Sequence, residues 1–191
     1  FEVKRNDMLH HFDGFPRLKE VKNMFRVGDN NHLTEINGLL NLKQTGKPCG
    51  QYDCGFFLVE GNPQLNYING LGALETVYGA ISVMQNDNLR NLDWLSGLRT
   101  VFKAGIQVEG NIQLRDVTGL SGLLAMPDGG ITFENNRRLC PSIADALDAA
   151  LPSDIGVNYL GGEWGDLLLQ CQSADIHTFM LWGPSAISVT D

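Results

Sequence analysis

The chain has 191 residues, with 14 basic against 22 acidic side chains and a formal charge of −8. That balance excludes a phosphate-neutralising nucleic-acid surface, which needs clustered Lys and Arg, and a hydrophobic content of 43% excludes a disordered segment. No run approaches the ~18 consecutive apolar residues of a membrane span, and the length suits one continuous core.

Two residue types are in excess. Glycine fills 22 positions and asparagine sixteen; both tolerate turns and left-handed backbone, so the chain is expected to turn often. The turns come at intervals. Asn6, Asn30, Asn62, Asn86, Asn111 and Asn136 are spaced 24, 32, 24, 25 and 25 residues apart, and a leucine follows each three positions later, at Leu9, Leu33, Leu65, Leu89, Leu114 and Leu139. Further apolar columns run Phe12, Ile36, Ile68, Leu92, Val117, then Phe15, Leu39, Leu71, Leu95, Leu120, then Leu18, Leu42, Leu74, Leu98, Leu123. Gly14, Gly38, Gly70, Trp94 and Gly119 each precede a member of the second of these columns.

Every unit closes on an alternating pair: Phe25 and Val27, Phe57 and Val59, Ile81 and Val83, Ile106 and Val108, Ile131 and Phe133. A period of two marks a strand with one buried face, whereas the steps of three in the leucine columns suit short strands and tight corners. Phe1 and Val3 fit the same pair, so the chain begins in mid-unit and without Met, which predicts a removed leader or a longer parent polypeptide. A unit of about 24 residues cannot bury its own apolar side. Stacking units at ~4.8 Å builds continuous parallel sheets around aligned Leu, Ile and Val columns. The six asparagines then make a structural ladder at one corner, where their amides satisfy backbone groups turning out of the sheet.

The step of 32 marks an insertion of eight residues between Thr45, in the column of Val77, and Phe57, in that of Ile81. It contains Cys49 and Cys54, predicted to close a small disulfide ring that presents Tyr52 as a loop contact. The four cysteines, Cys49, Cys54, Cys140 and Cys171, form an even set without a C-x-x-C pair. That favours two disulfides over a zinc site and an oxidising compartment.

The pattern N-x-x-L-x-x-[ILVF]-x-[GW]-[LF]-x-x-L, followed by an I-x-V strand, resembles the receptor L-domain family, found in ectodomains of insulin-type and epidermal-growth-factor-type receptors and in wall-associated surface proteins of fungi. The resemblance covers Phe1 to Cys140, and Asn136-Arg-Arg-Leu139-Cys140 matches the family's closing N-x-x-L-C motif. It implies a mainly β fold: a short right-handed parallel β-helix, or solenoid, of about six 24–25-residue turns with a C-terminal helical cap and disulfides, outside the cell. The sequence contains no kinase segment, Cys-rich module or N-x-[ST] sequon, so receptor signalling is not carried over.

Beyond Cys140 the repeat stops. Ser142 is expected to N-cap a helix over 142–151 that ends at Pro152, with Ile143, Ala146, Leu147 and Ala150 as its apolar stripe. The division is therefore a solenoid with its cap over 1–151 and a capping tail over 152–191. In that tail Gly156 to Gly165 reads as turn-rich, Leu167 to Leu169 and His177 to Leu181 read as short strands, and Cys171 remains to staple the tail to Cys140.

For function, the outward row of the alternating strand stands out: Glu2, Arg26, Leu58, Ser82, Gln107 and Thr132, flanked by Lys4, Gly28, Glu60, Met84, Glu109 and Glu134. A long, flat, chemically mixed sheet suits protein or glycan contact, with Leu58 and Met84 as exposed apolar residues near its centre. Glu109 and Glu134, one unit apart, have the spacing of a glycosidase carboxylate pair, but Met84 separates them from Glu60 and they are read as solvated surface; no catalytic residue is assigned. His10, His11, His32 and His177 show no metal-ligand spacing. In a strand His10 and His11 would point to opposite faces. A His10–His32 pair across units is conceivable, but the rings are read as surface residues. No cofactor or metal is expected. The reading is an extracellular, non-enzymatic binding module of a cell-surface or secreted protein that recognises a protein or glycan partner. A structural segment of a wall, sheath or filament is the alternative, with self-assembly as its interaction, and a carbohydrate-active enzyme comes third.

Overall fold

The computed structural model describes residues 1–49 and 54–160. They form a mainly β, repeat-like architecture of three parallel sheets and a single short helix. The largest sheet contains β1 (Glu2–Lys4), β4 (Phe25–Gly28), β7 (Phe57–Glu60), β10 (Ile81–Met84), β12 (Ile106–Glu109), β13 (Ile131–Glu134) and β14 (Val157–Leu160), in that order across seven strands. A second sheet orders β11 (Thr100–Val101), β9 (Thr76–Val77), β6 (Gln44–Thr45) and β3 (Glu20–Val21); a third holds β2 (His11–Phe12), β5 (Glu35–Ile36) and β8 (Tyr67–Ile68).

Register follows the sequence columns. Val27 pairs with Val59, Val59 with Val83, Val83 with Val108 and Val108 with Phe133. Ile36 pairs with Ile68, and Thr45 with Val77 across the insertion. Each column therefore becomes a row of touching core residues, and the interior members from Leu33 to Leu120 are almost all inaccessible to solvent. Phe25 and Phe57 stack with ring centroids 4.7 Å apart, and Phe1 continues that stack at 5.1 Å from Phe25.

The glycine that precedes the second leucine column is there because successive units approach so closely. A Cβ at Gly70 would lie 2.7 Å from the Asn37 carbonyl carbon, nearer than any real side chain tolerates. In the fourth and fifth units the short strand of the third sheet gives way to single 3₁₀ turns, Asp93–Leu95 and Thr118–Leu120. An isolated parallel bridge between Asn91 and Asp116 keeps their register.

The insertion carries the expected disulfide between Cys49 and Cys54, whose Cα atoms are 5.2 Å apart. Tyr52 lies outside the described residues. So do Cys171 and the strands expected at 167–169 and 177–181; Cys140 is not a free thiol.

The carboxyl-terminal end departs from expectation in three ways. The helix α1 (Pro141–Ala150) starts one residue early, and Ser142 does not cap it: Cys140 holds the N-cap position without a side-chain bond. Pro141 explains the start, since its fixed φ suits the first helical position and its missing N–H removes one donor that would need a cap. Ile143, Ala144 and Leu147 form the buried stripe, while Ala150 is exposed. Finally, the stretch read as turn-rich from Gly156 contains β14, which extends the large sheet by pairing Val157 with Ile131 and Tyr159 with Phe133. At the other end His10 precedes β2 rather than lying in it, and His10 and His11 are both exposed, with ring centroids 6.4 Å apart.

Candidate functional site

The outward face of the large sheet is built by strand alternation. Residues one position after each core-facing Phe, Ile or Val that opens a strand alternate to the outer face, and parallel register lines them up as Glu2, Arg26, Leu58, Ser82, Gln107, Thr132 and Asn158. A second line runs Lys4, Gly28, Glu60, Met84, Glu109, Glu134 and Leu160. At strand spacing of ~4.8 Å these are two straight rows on one surface.

The rows do not have one character. Arg26 organises the amino-terminal part: its guanidinium lies 3.2 Å from Glu2 of β1, 3.3 Å from Asp29 just after its own strand and 2.7 Å from Glu60 of β7. Lys4 reaches Glu2 at 2.9 Å. The Glu2 carboxyl is held below its ordinary value chiefly by the hydrogen bond from Lys4, against an opposing desolvation, with Arg26 adding to the lowering. In the centre, two expectations of exposure are corrected. Ser82 is buried, being much shorter than its register neighbours Leu58 and Gln107, and its hydroxyl makes no protein hydrogen bond. Leu58 and Met84 are half-buried rather than exposed. Farther along, Gln107 donates to the Glu109 carboxylate at 3.0 Å, and Glu109 stands in register with Glu134.

Beside Glu60 and Met84 the face dips into a depression of about 290 Å³ lined by Arg26, Asp29, Glu60, Gly61, Met84, Gln85 and Glu109. The sequence reading missed Asp29, Gly61 and Gln85. They belong to a column just after the strands, Arg5, Asp29, Gly61, Gln85, Gly110 and Asn135, whose backbone is left-handed in all six units, with φ between 54° and 67°. The sequence signal is weak because only two of the six are glycine; the rest are long or polar side chains that tolerate αL at some cost.

Immediately behind that column runs the asparagine ladder. Each Asn side-chain oxygen accepts both the backbone N–H and the side-chain amide of the Asn one unit earlier, from Asn6 to Asn30, Asn62, Asn86, Asn111 and Asn136, at 3.0–3.3 Å. The amides also donate across to strand carbonyls: Asn86 to Val59 at 2.9 Å and Asn111 to Val83 at 2.9 Å. The five from Asn30 onward are buried; Asn6 is exposed. The ladder fixes where each strand ends, and hence where Glu60, Met84, Glu109 and Glu134 stand.

Chemically, the face offers one clamped guanidinium, a row of carboxylates, and two half-buried apolar side chains at its middle. Glu60 is committed to Arg26, and the depression is lined by Glu109 but not by Glu134. Among the described residues no three or more His, Cys, Asp or Glu side chains are grouped to hold a metal ion, and no helix is long and apolar enough to cross a membrane. The chain matches no family model, no curated protein and no solved structure.

Proposed function

We propose that the chain is an L-domain-like right-handed parallel β-helix, about six turns long and capped at its carboxyl end, that serves outside the cell as a non-enzymatic module binding a protein or a glycan. The observation that carries the reading is the outward face: two registered rows, pinned from behind by the asparagine ladder, that place Arg26, Glu60, Met84 and Glu109 around one depression. A rigid surface with a half-buried apolar centre and a charged margin has the composition of a recognition patch. The Cys49–Cys54 disulfide supports an oxidising compartment. The chain and a Met84→Glu, Arg26→Glu variant of it would be screened against arrays of glycans and of extracellular proteins. At least one ligand bound by the parent and lost by the variant, with both equally folded by circular dichroism, supports this reading; no ligand, or one indifferent to the two changes, overturns it.

A second reading has its own observation. Among the described residues no strand lies beside the outer edge of β1, and Phe1, Val3, Leu9 and Leu18 are only partly buried there. Such an end suits packing against neighbours in a wall or filament. Sedimentation over a wide concentration range separates the two: a monomer throughout favours recognition, and open-ended growth favours assembly.

A further inference from the structure

His10, His11 and His32 lie close together at one corner, although His32 follows His11 by 21 positions. His10 and His32 are neighbours across the first two units, with ring centroids 5.7 Å apart, and the His11 ring lies 6.4 Å from that of His10. The Nδ1 of His32 is 2.6 Å from the Asp7 backbone carbonyl. A carbonyl only accepts, so that nitrogen carries a proton and donates, and in the neutral ring Nε2 keeps its lone pair. Fixing one ring nitrogen on a carbonyl so that the other is a ligand is how proteins prepare histidine for a metal. The backbone supports the pair as well: Thr34 donates through its amide at 2.8 Å and its hydroxyl at 2.9 Å to the His10 carbonyl, tying together the segments that bear the two rings.

We propose that His10 and His32 form a binding site for a borderline divalent transition-metal ion, with Zn²⁺, Ni²⁺ and Cu²⁺ as the chemical class. Two imidazoles on one ion at ~2.0–2.1 Å bring their ring centroids to about 5 Å, and these two exposed rings stand 5.7 Å apart. The protein supplies two ligands and solvent completes the shell. Imidazole donors select this class over Ca²⁺ and Mg²⁺, which take oxygen ligands. The ion would bridge the first unit to the second.

The test is calorimetric titration of the full chain with Zn²⁺ in a non-coordinating buffer, beside His10→Ala, His32→Ala and His177→Ala, with Ca²⁺ as a control ion. All three histidine changes would be checked for unaltered folding by circular dichroism. The site predicts one zinc equivalent, about tenfold or greater weakening in His10→Ala and in His32→Ala, no change in His177→Ala and no heat with Ca²⁺. Absence of zinc binding overturns the proposal, as does binding that survives both changes at the pair or is lost in His177→Ala.

Discussion

The first and the last units that carry the leucine columns, those of β1 and β13, are built alike and fare differently. At the carboxyl-terminal end Phe133 and Leu139 are inaccessible to solvent, covered by β14 and by α1 with Ile143, Leu147, Leu151 and Ile155. At the amino-terminal end the equivalent residues, Val3 and Leu9, are only partly buried, Phe15 is 54% exposed and Met8 84% exposed. Nothing in the residues themselves makes this difference, since leucine occupies the Leu9 and Leu139 positions alike. What differs is the neighbour. A unit contributes half of an interface and leaves its core to be completed by the next unit or by a cap, so burial in this protein is a property of adjacency.

The largest expected contrast comes from making one substitution at both ends. Leu139→Ala empties a fully buried position and should cost ~2–5 kcal/mol, whereas Leu9→Ala, already half in solvent, should cost about 1 kcal/mol or less. Urea denaturation of both variants measures this; equal losses would mean that the amino-terminal core is covered as well as the carboxyl-terminal one.

The ladder gives the next contrast. Asn86 is buried and bonded to Asn111, Val59 and Met84, so Asn86→Ala leaves several inaccessible groups without partners and should cost ~1–3 kcal/mol or more. Asn6 is the exposed first rung, and Asn6→Ala should cost less than about 1 kcal/mol, since water replaces what is lost. Comparable penalties would show that the amides act singly as turn formers and gain nothing from being stacked.

How much of this was legible in the sequence depends on whether a unit repeats it. Strand register, the asparagine column, the short helix and the Cys49–Cys54 ring all carry a residue-type signal, either in each unit or in a local pair. The left-handed corner does not, because Arg5, Asp29, Gln85 and Asn135 share a backbone conformation and no side-chain chemistry. The depression formed by Asp29 and Gln85 was therefore hidden. Strand β14 was overlooked for the opposite reason: Val157 and Tyr159 do alternate, but no leucine columns surround them and the neighbouring glycines suggest turns. The burial of Ser82 depends on the length of side chains one unit away on each side, which a column-by-column reading does not register.

A smaller effect concerns acid. The Glu2 carboxyl is lowered from the ordinary 4.5, so its ionised form favours the folded edge; that contribution is present above the ordinary value and disappears as pH falls through the lowered one. Below pH 4.5 the β1 edge should thus loosen before the covered end does. Limited pepsin digestion would release the amino-terminal residues first, and Glu2→Gln would remove most of the difference between pH 5 and pH 3. High salt should act in the same direction, because the clamp around Arg26 is partly exposed and screened.

The most direct test of dependence on neighbours is amide hydrogen exchange resolved along the chain. Protection should be highest from β7 to β12, stay high through β13 beneath its cap, and fall steadily toward β4 and β1. Protection of β1 equal to that of β13, or a fall of equal steepness at both ends, would contradict it.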